Sequence, residues 1–111
     1  MRQIAFAAAF AAALTATPAK AAFKDGNDLL DDCQRGEDLS SADMYCLAYT
    51  IGVFDSMQAL GLLPRSKCNF GNVKAIQVKD VVVKWLNDNP AKRNQVAADI
   101  VMFAVIEGFC G

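Results

Sequence analysis

The sequence predicts an all-α fold, a small four-helix domain closed by two disulfides. Three observations carry this. Apolar residues recur at i, i+3, i+4 and i+7, the period of a half-buried helix. Asn, Ser, Gly and Pro punctuate the chain about one helix length apart, as helix starts and stops do. Four cysteines, Cys33, Cys46, Cys68 and Cys110, form an even set in a small chain that carries a leader.

The leader is the first element. Arg2 provides a positive start, Ile4 to Ala16 is an alanine-rich apolar run, and Pro18 ends it. Ala19-Lys20-Ala21 has the small-x-small form of a cleavage site, so residues 1–21 read as a secretory signal peptide, with Ala19 as an alternative cut. The run is shorter than the roughly 20 apolar residues a membrane span needs. The mature domain, residues 22–111, keeps all 12 acidic residues and loses two basic ones, for a net charge of −3. No stretch is strongly basic, which argues against nucleic acid as a partner.

A secretory leader places the chain in an oxidising compartment, where cysteines pair. A small domain there has a limited core and gains from covalent closure. Of the three possible pairings we favour Cys33–Cys46, which closes a short loop between neighbouring helices, and Cys68–Cys110, which ties down the C-terminus. Zinc is disfavoured, since the chain has no histidine and no C-x2-C spacing.

The first helix takes Asp25 or Asn27 as its cap, carries Leu29, Leu30 and Cys33 at helical spacing, and stops at Gly36. Asp28, Asp31 and Asp32 crowd its early turns without the Gly and Glu spacing of a calcium loop. The second begins at Ser40 or Ser41, with Asp43 in a loose capping box, and runs to about Leu60 before Gly61 and Pro64. Only Thr50 is polar between Met44 and Phe54, which predicts burial on most sides. Gly52 weakens this helix and predicts close approach by another element. A long loop follows, anchored at Cys68. Val78, Val81, Val82, Trp85 and Leu86 mark one face of a third helix. Asn89 and Pro90 predict the start of a fourth, ending near Glu107 with Gly108 as its stop. Its polar stripe Lys92, Gln95, Asp99 gives way to Met102, Phe103 and Ile106.

Catalytic machinery is hard to find. Without histidine there is no Ser-His-Asp or Cys-His pair, and paired cysteines are not nucleophiles. No phosphate-binding loop is present, and no cofactor or metal is expected. Asp55, Asp99 and Glu107 are the candidate carboxylates in apolar surroundings, and Asp55 and Asp99 read as capping, partner-bonded or surface acids. The methionines read as core filling. The chain is not expected to be an enzyme.

The motifs "GNDLLDDC", "YCLAYTIGVFDSM" and "QVKDVVVKWLNDNPAKRNQVAADIVMFAVIEGFC" occur in that order. Together they resemble the Rap/Tai immunity-protein family of type VI secretion. Leu29, Leu30 and Cys33 match its Leu-Leu-x-x-Cys opening. Cys46, Tyr49, Gly52 and Asp55 match Cys-x-x-Tyr-x-x-Gly-x-x-Asp, and Trp85, Leu86 and Pro90 match the helix before proline. Ala97, Ala98 and Phe109-Cys110 match the alanine-rich end, although Gly108-Phe109-Cys110 replaces the frequent Phe-Pro-Cys. The resemblance implies a periplasmic, disulfide-bonded inhibitor, often dimeric, that binds a peptidoglycan amidase toxin and blocks its active site. The competing expectation is a small helical binding or stress-chaperone protein of the envelope without a toxin partner.

Loops on a rigid frame carry recognition. The first candidate contact is therefore Leu63 to Gly71, with Arg65, Lys67 and Asn69 offered to a partner. The second is the turn Asn87 to Pro90. The apolar surface of helices two and four exceeds what so short a chain should bury, which predicts a homodimer through Met102, Phe103 and Ile106.

Overall fold

A computed structural model describes residues 23–35, 41–64 and 66–110. The expected leader, the Gly36 stop, the Ser40 cap and Arg65 lie outside the described residues. Four helices run in order: α1 Gly26–Arg35, α2 Ser41–Ala59, α3 Ala75–Asp88 and α4 Ala97–Phe109. A 3-10 turn, Pro90–Lys92, sits between α3 and α4. Two isolated bridges, Asp25 with Val96 and Cys68 with Cys110, are the only extended pairings among the described residues.

α1 starts where a reciprocal cap forms. The Asp28 N–H donates to Asp25 Oδ1 at 2.9 Å, and the Asp25 N–H donates to Asp28 Oδ2 at 3.1 Å. Asp25, not Asn27, is therefore the cap. Gly26 is required by contact: a Cβ there would stand 2.4 Å from Ile100 Cδ1 and 2.7 Å from the Arg93 carbonyl oxygen. Cys33 is bonded to Cys46, fastening α1 to α2.

α2 ends as its sequence predicts. Gly61 has φ 67°. Its N–H donates to the Gln58 carbonyl and the Leu62 N–H to the Met57 carbonyl, a Schellman motif. The expectation that α2 is buried on most sides is overturned. Cys46, Thr50, Phe54 and Met57 face the core, whereas Met44, Tyr45 and Leu60 are exposed. Four short helices give α2 neighbours on its inner side, and its outer side has none among them. Gly52 lies on that open side, with nothing within 4 Å of a Cβ placed there. The close approach expected at Gly52 does not occur within the monomer.

α3 is the amphipathic helix expected, burying Val78, Val82, Trp85 and Leu86. The Lys74 N–H at its start is satisfied by Gln77 Oε1 at 3.2 Å.

The expected start of the fourth helix at Asn89-Pro90 is corrected. Those residues open only the 3-10 turn, and α4 begins at Ala97. The reason is tertiary. The Gly26 N–H takes the Gln95 carbonyl at 3.0 Å, the Asn27 N–H takes the Arg93 carbonyl at 2.9 Å, and the Ala97 N–H donates to the Lys24 carbonyl at 3.0 Å. Carbonyls that a continuous helix would use internally satisfy the first turn of α1 instead. Gly108 is not a stop either, since α4 continues to Phe109. A Cβ on Gly108 would lie 2.6 Å from Val81 Cγ1, so this glycine lets α4 close on α3.

The core is one cluster centred on Leu29, Leu86, Ile100, Val78, Val82, Val101 and Val105, all fully buried. Each contributes about 1.5–3 kcal/mol relative to exposure. Thr50 is the one buried polar residue among those described, and its hydroxyl has no hydrogen-bond partner.

Candidate functional site

The segment from Leu60 to Lys74 joins α2 to α3. Regular structure does not hold it, so its backbone groups need other partners. The Lys67 and Cys68 N–H groups both donate to the Pro64 carbonyl, at 2.9 and 3.1 Å. The Asn69 N–H donates to the Phe109 carbonyl at 2.7 Å. The Val73 N–H donates to the Phe70 carbonyl at 3.2 Å, closing a turn with Asn72 at φ 61°. Positive φ at the third position is the pattern of a type II turn, and asparagine tolerates it.

Side chains pin the same segment from below. Leu63 is buried. Phe70 meets Phe54 edge-on, with ring centroids 5.5 Å apart, and Phe109 at 5.8 Å. Cys68 is bonded to Cys110 across a short antiparallel bridge. The loop is thus tied to α2 through Phe54 and to the end of α4 through Phe109 and Cys110. Above these anchors Lys67 and Asn69 are exposed. Of the three expected contact residues, these two project from the fixed loop, and Arg65 lies outside the described residues.

The second candidate turn is also fixed. Asn89 Nδ2 donates to the Trp85 carbonyl at 2.8 Å, and Arg93 Nε donates to the Leu86 carbonyl at 2.7 Å. Both cover carbonyls at the end of α3 that the helix leaves unpaired. Asp88 pairs with Lys84 one turn back, and that carboxylate's hydrogen bond and charge raise the Lys84 pKa.

Met102, Phe103 and Ile106 do not share one surface. Phe103 and Ile106 are exposed, at 45% and 36%, while Met102 is half-buried. Met102 lines a groove of about 650 Å³ between α2 and α4, whose wall includes Ala48, Gly52, Ser56, Leu60 and Leu62. Phe103 borders a different cleft, with Trp85, Asn89 and Glu107. There the Trp85 indole N–H donates to Glu107 Oε2 at 2.9 Å. Of the carboxylates in apolar stretches, Glu107 is therefore partnered, and Asp55 and Asp99 are exposed on different helices.

The α2–α4 groove was missed by sequence reasoning. Its signal is the run Ala48, Gly52, Ser56, small residues at every fourth position, hidden in a helix that reads as apolar all round. Leu60 and Leu62, which open the loop, are part of this groove. The stapled loop and the apolar groove are therefore adjoining parts of one surface. Tyr49 sits at its edge beneath the Lys24 ammonium, 5.7 Å from the ring centroid. Burial raises the Tyr49 pKa, and the nearby Lys24 charge offsets only part of this.

A disulfide, two ring contacts and a hydrogen bond to the end of α4 fix the shape of this loop. A family model for Rap1a immunity proteins matches residues 25–109. The chain belongs to that family. No curated protein and no solved structure matches it. The matched span contains all of α1 to α4 and the stapled loop, and it ends one residue before Cys110.

Proposed function

We propose that this is a periplasmic immunity protein that binds and inhibits a peptidoglycan amidase toxin delivered by type VI secretion. Membership of the Rap1a immunity family across residues 25–109 carries the reading. The leader-like start and the two disulfides support a place outside the cytoplasm. The loop from Leu63 to Gly71 is the inhibitory contact, presenting Lys67 and Asn69 to acidic and polar groups at the toxin's active-site rim. Its ties remove most of the ordering cost that a free loop would meet on binding.

The test mixes the purified mature protein with amidases encoded beside its gene. The expected result is stoichiometric loss of peptidoglycan cleavage, weakened by Lys67→Glu combined with Asn69→Ala. Unchanged cleavage with each amidase, and no protection of cells expressing one in the periplasm, overturns it. That outcome favours the second reading, a small envelope-binding or chaperone protein, which draws on the open α2–α4 groove.

We further propose a homodimer in which Phe103 and Ile106 contribute to the interface. Both side chains are exposed, so glutamate at either position leaves the core intact. Phe103→Glu with Ile106→Glu is expected to give a folded monomer in sedimentation at micromolar concentration. A wild-type mass of one chain under the same conditions refutes the dimer.

A further inference from the structure

The two disulfides differ in access. Cys33 and Cys46 are buried, at 5% and 0% exposure, whereas Cys68 and Cys110 are both only half-buried. Thiol–disulfide exchange needs in-line approach of a thiolate to sulfur, so its rate follows access. A reductant meets the second bridge first. All four cysteines of the chain are paired, so no internal thiol competes in the exchange.

The consequences of opening differ as well. Cys110 is an extended residue just past the end of α4, and the bridge is its link to the loop. The hydrogen bond from Asn69 to the Phe109 carbonyl lies beside that bridge, and Phe70 leans on Phe109. Loss of the bridge leaves this small ladder held only by that hydrogen bond and the ring contacts of Phe70. The buried helix faces and Cys33–Cys46 are untouched by it.

We propose that Cys68–Cys110 is a redox-operated clasp that sets whether the loop is in its binding form. This rests on the loop being the inhibitory contact. A dithiol, as a thiolate, attacks one sulfur of the bridge to give a mixed disulfide and releases the other cysteine. Its second thiolate then displaces the protein sulfur. Two electrons and two protons pass to Cys68 and Cys110, and the dithiol leaves as a cyclic disulfide. The reduced protein keeps its helices, releases the loop, and loses inhibition. In such a scheme newly made chain is inactive until the oxidising compartment closes the clasp.

Dithiothreitol titration of the full oxidised mature protein, followed by alkylation and peptide mapping, tests the order of opening. Cys68 and Cys110 are expected to label at least about ten-fold faster than Cys33 and Cys46. Hydrogen exchange at the Asn69 and Cys110 amides is expected to accelerate by at least about ten-fold, with the centres of α2 and α3 unchanged. Simultaneous labelling of all four cysteines, or labelling of the buried pair first, overturns the clasp. The permanently open Cys68→Ser/Cys110→Ser variant should match the half-reduced protein in helical circular dichroism and exchange. Against an amidase that the oxidised protein neutralises, both open forms should bind at least about ten-fold more weakly. Opening without that loss overturns the gating. Failure of the oxidised protein to neutralise any amidase overturns the underlying functional reading instead, and the labelling order still decides whether the bridge opens first.

Discussion

The Cys33–Cys46 junction and the Cys68–Cys110 clasp hold opposite kinds of structure. Around the first, α1 lies on α2, Leu29 and Leu30 are buried beside it, and Lys24 pairs with Asp32 near Tyr49. Around the second lie a loop, the end of α4 where Gly108 closes on Val81, two ring contacts and one hydrogen bond from Asn69 to the Phe109 carbonyl. In chain-entropy terms the ranking runs the other way. Closing 42 residues contributes about 4 kcal/mol and closing 13 about 3 kcal/mol. Surroundings, rather than loop length, decide what each bridge does: a bridge in the core adds to cohesion already present, and a bridge beside the loop shares its hold on the backbone only with Leu63, the Phe70 ring contacts and the Asn69–Phe109 hydrogen bond.

The largest effect expected follows from the buried bridge. Cys33→Ser/Cys46→Ser loses about 3 kcal/mol of loop closure and leaves two buried hydroxyls, each costing a further 1–3 kcal/mol or so if unpaired. A total of about 5–9 kcal/mol is comparable to the whole stability of a small domain. Urea unfolding should show a variant largely unfolded at 37 °C. If its midpoint falls no further than that of the clasp variant, surroundings do not outweigh loop length and the comparison fails.

Cys68→Ser/Cys110→Ser comes next, at about 4 kcal/mol. Its serines are only half-buried, so they add less than the buried pair. The helical spectrum should persist at 25 °C with a lowered urea midpoint. A loss of helix at 25 °C would mean the clasp supports the core as well as the loop.

The junction side also holds a defect that can be removed. The Thr50 hydroxyl is buried without a partner, one turn after Cys46 on α2. Thr50→Val keeps the shape and a similar helix propensity, so stability should rise by about 1 kcal/mol. Equilibrium unfolding decides it, and a fall in stability would mean the hydroxyl is satisfied in solution.

How much of this was legible in the sequence also differs between the regions. The pairs Leu29/Leu30 and Val78/Val82 and the stop at Gly61 are local signals, and they were legible. The break before Ala97 was not, because it depends on α1 capturing the Arg93 and Gln95 carbonyls from more than 60 residues away. Gly108 read as a stop because close packing against Val81 leaves the same letter as a helix end. The loop's anchors Cys68 and Cys110 were visible, but the role of Phe70 between Phe54 and Phe109 was not, since ring contacts carry no spacing rule. The open groove was concealed by α2's own apolarity: periodicity shows which residues can be buried and not how many neighbours exist to bury them.

The smallest effect expected is an alkaline limb to stability from Tyr49. Burial disfavours the phenolate, and the Lys24 ammonium compensates only in part, so the folded pKa lies above the ordinary tyrosine range. With the folded pKa raised, the unfolded chain gives up its proton first as pH climbs. The contribution of Tyr49 is complete below the ordinary tyrosine range and is lost as pH rises through the folded value. The informative quantity is a difference between proteins. Urea midpoints should fall more steeply with alkaline pH in the wild type than in Tyr49→Phe, while Tyr45→Phe, changed at an exposed ring, should follow the wild type. Equal slopes for all three would mean that Tyr49 titrates alike in both states. The edge of the groove beside α1 would then be as wet as the loop region, and the contrast between the two bridged regions would end at Cys46 rather than extend along α2.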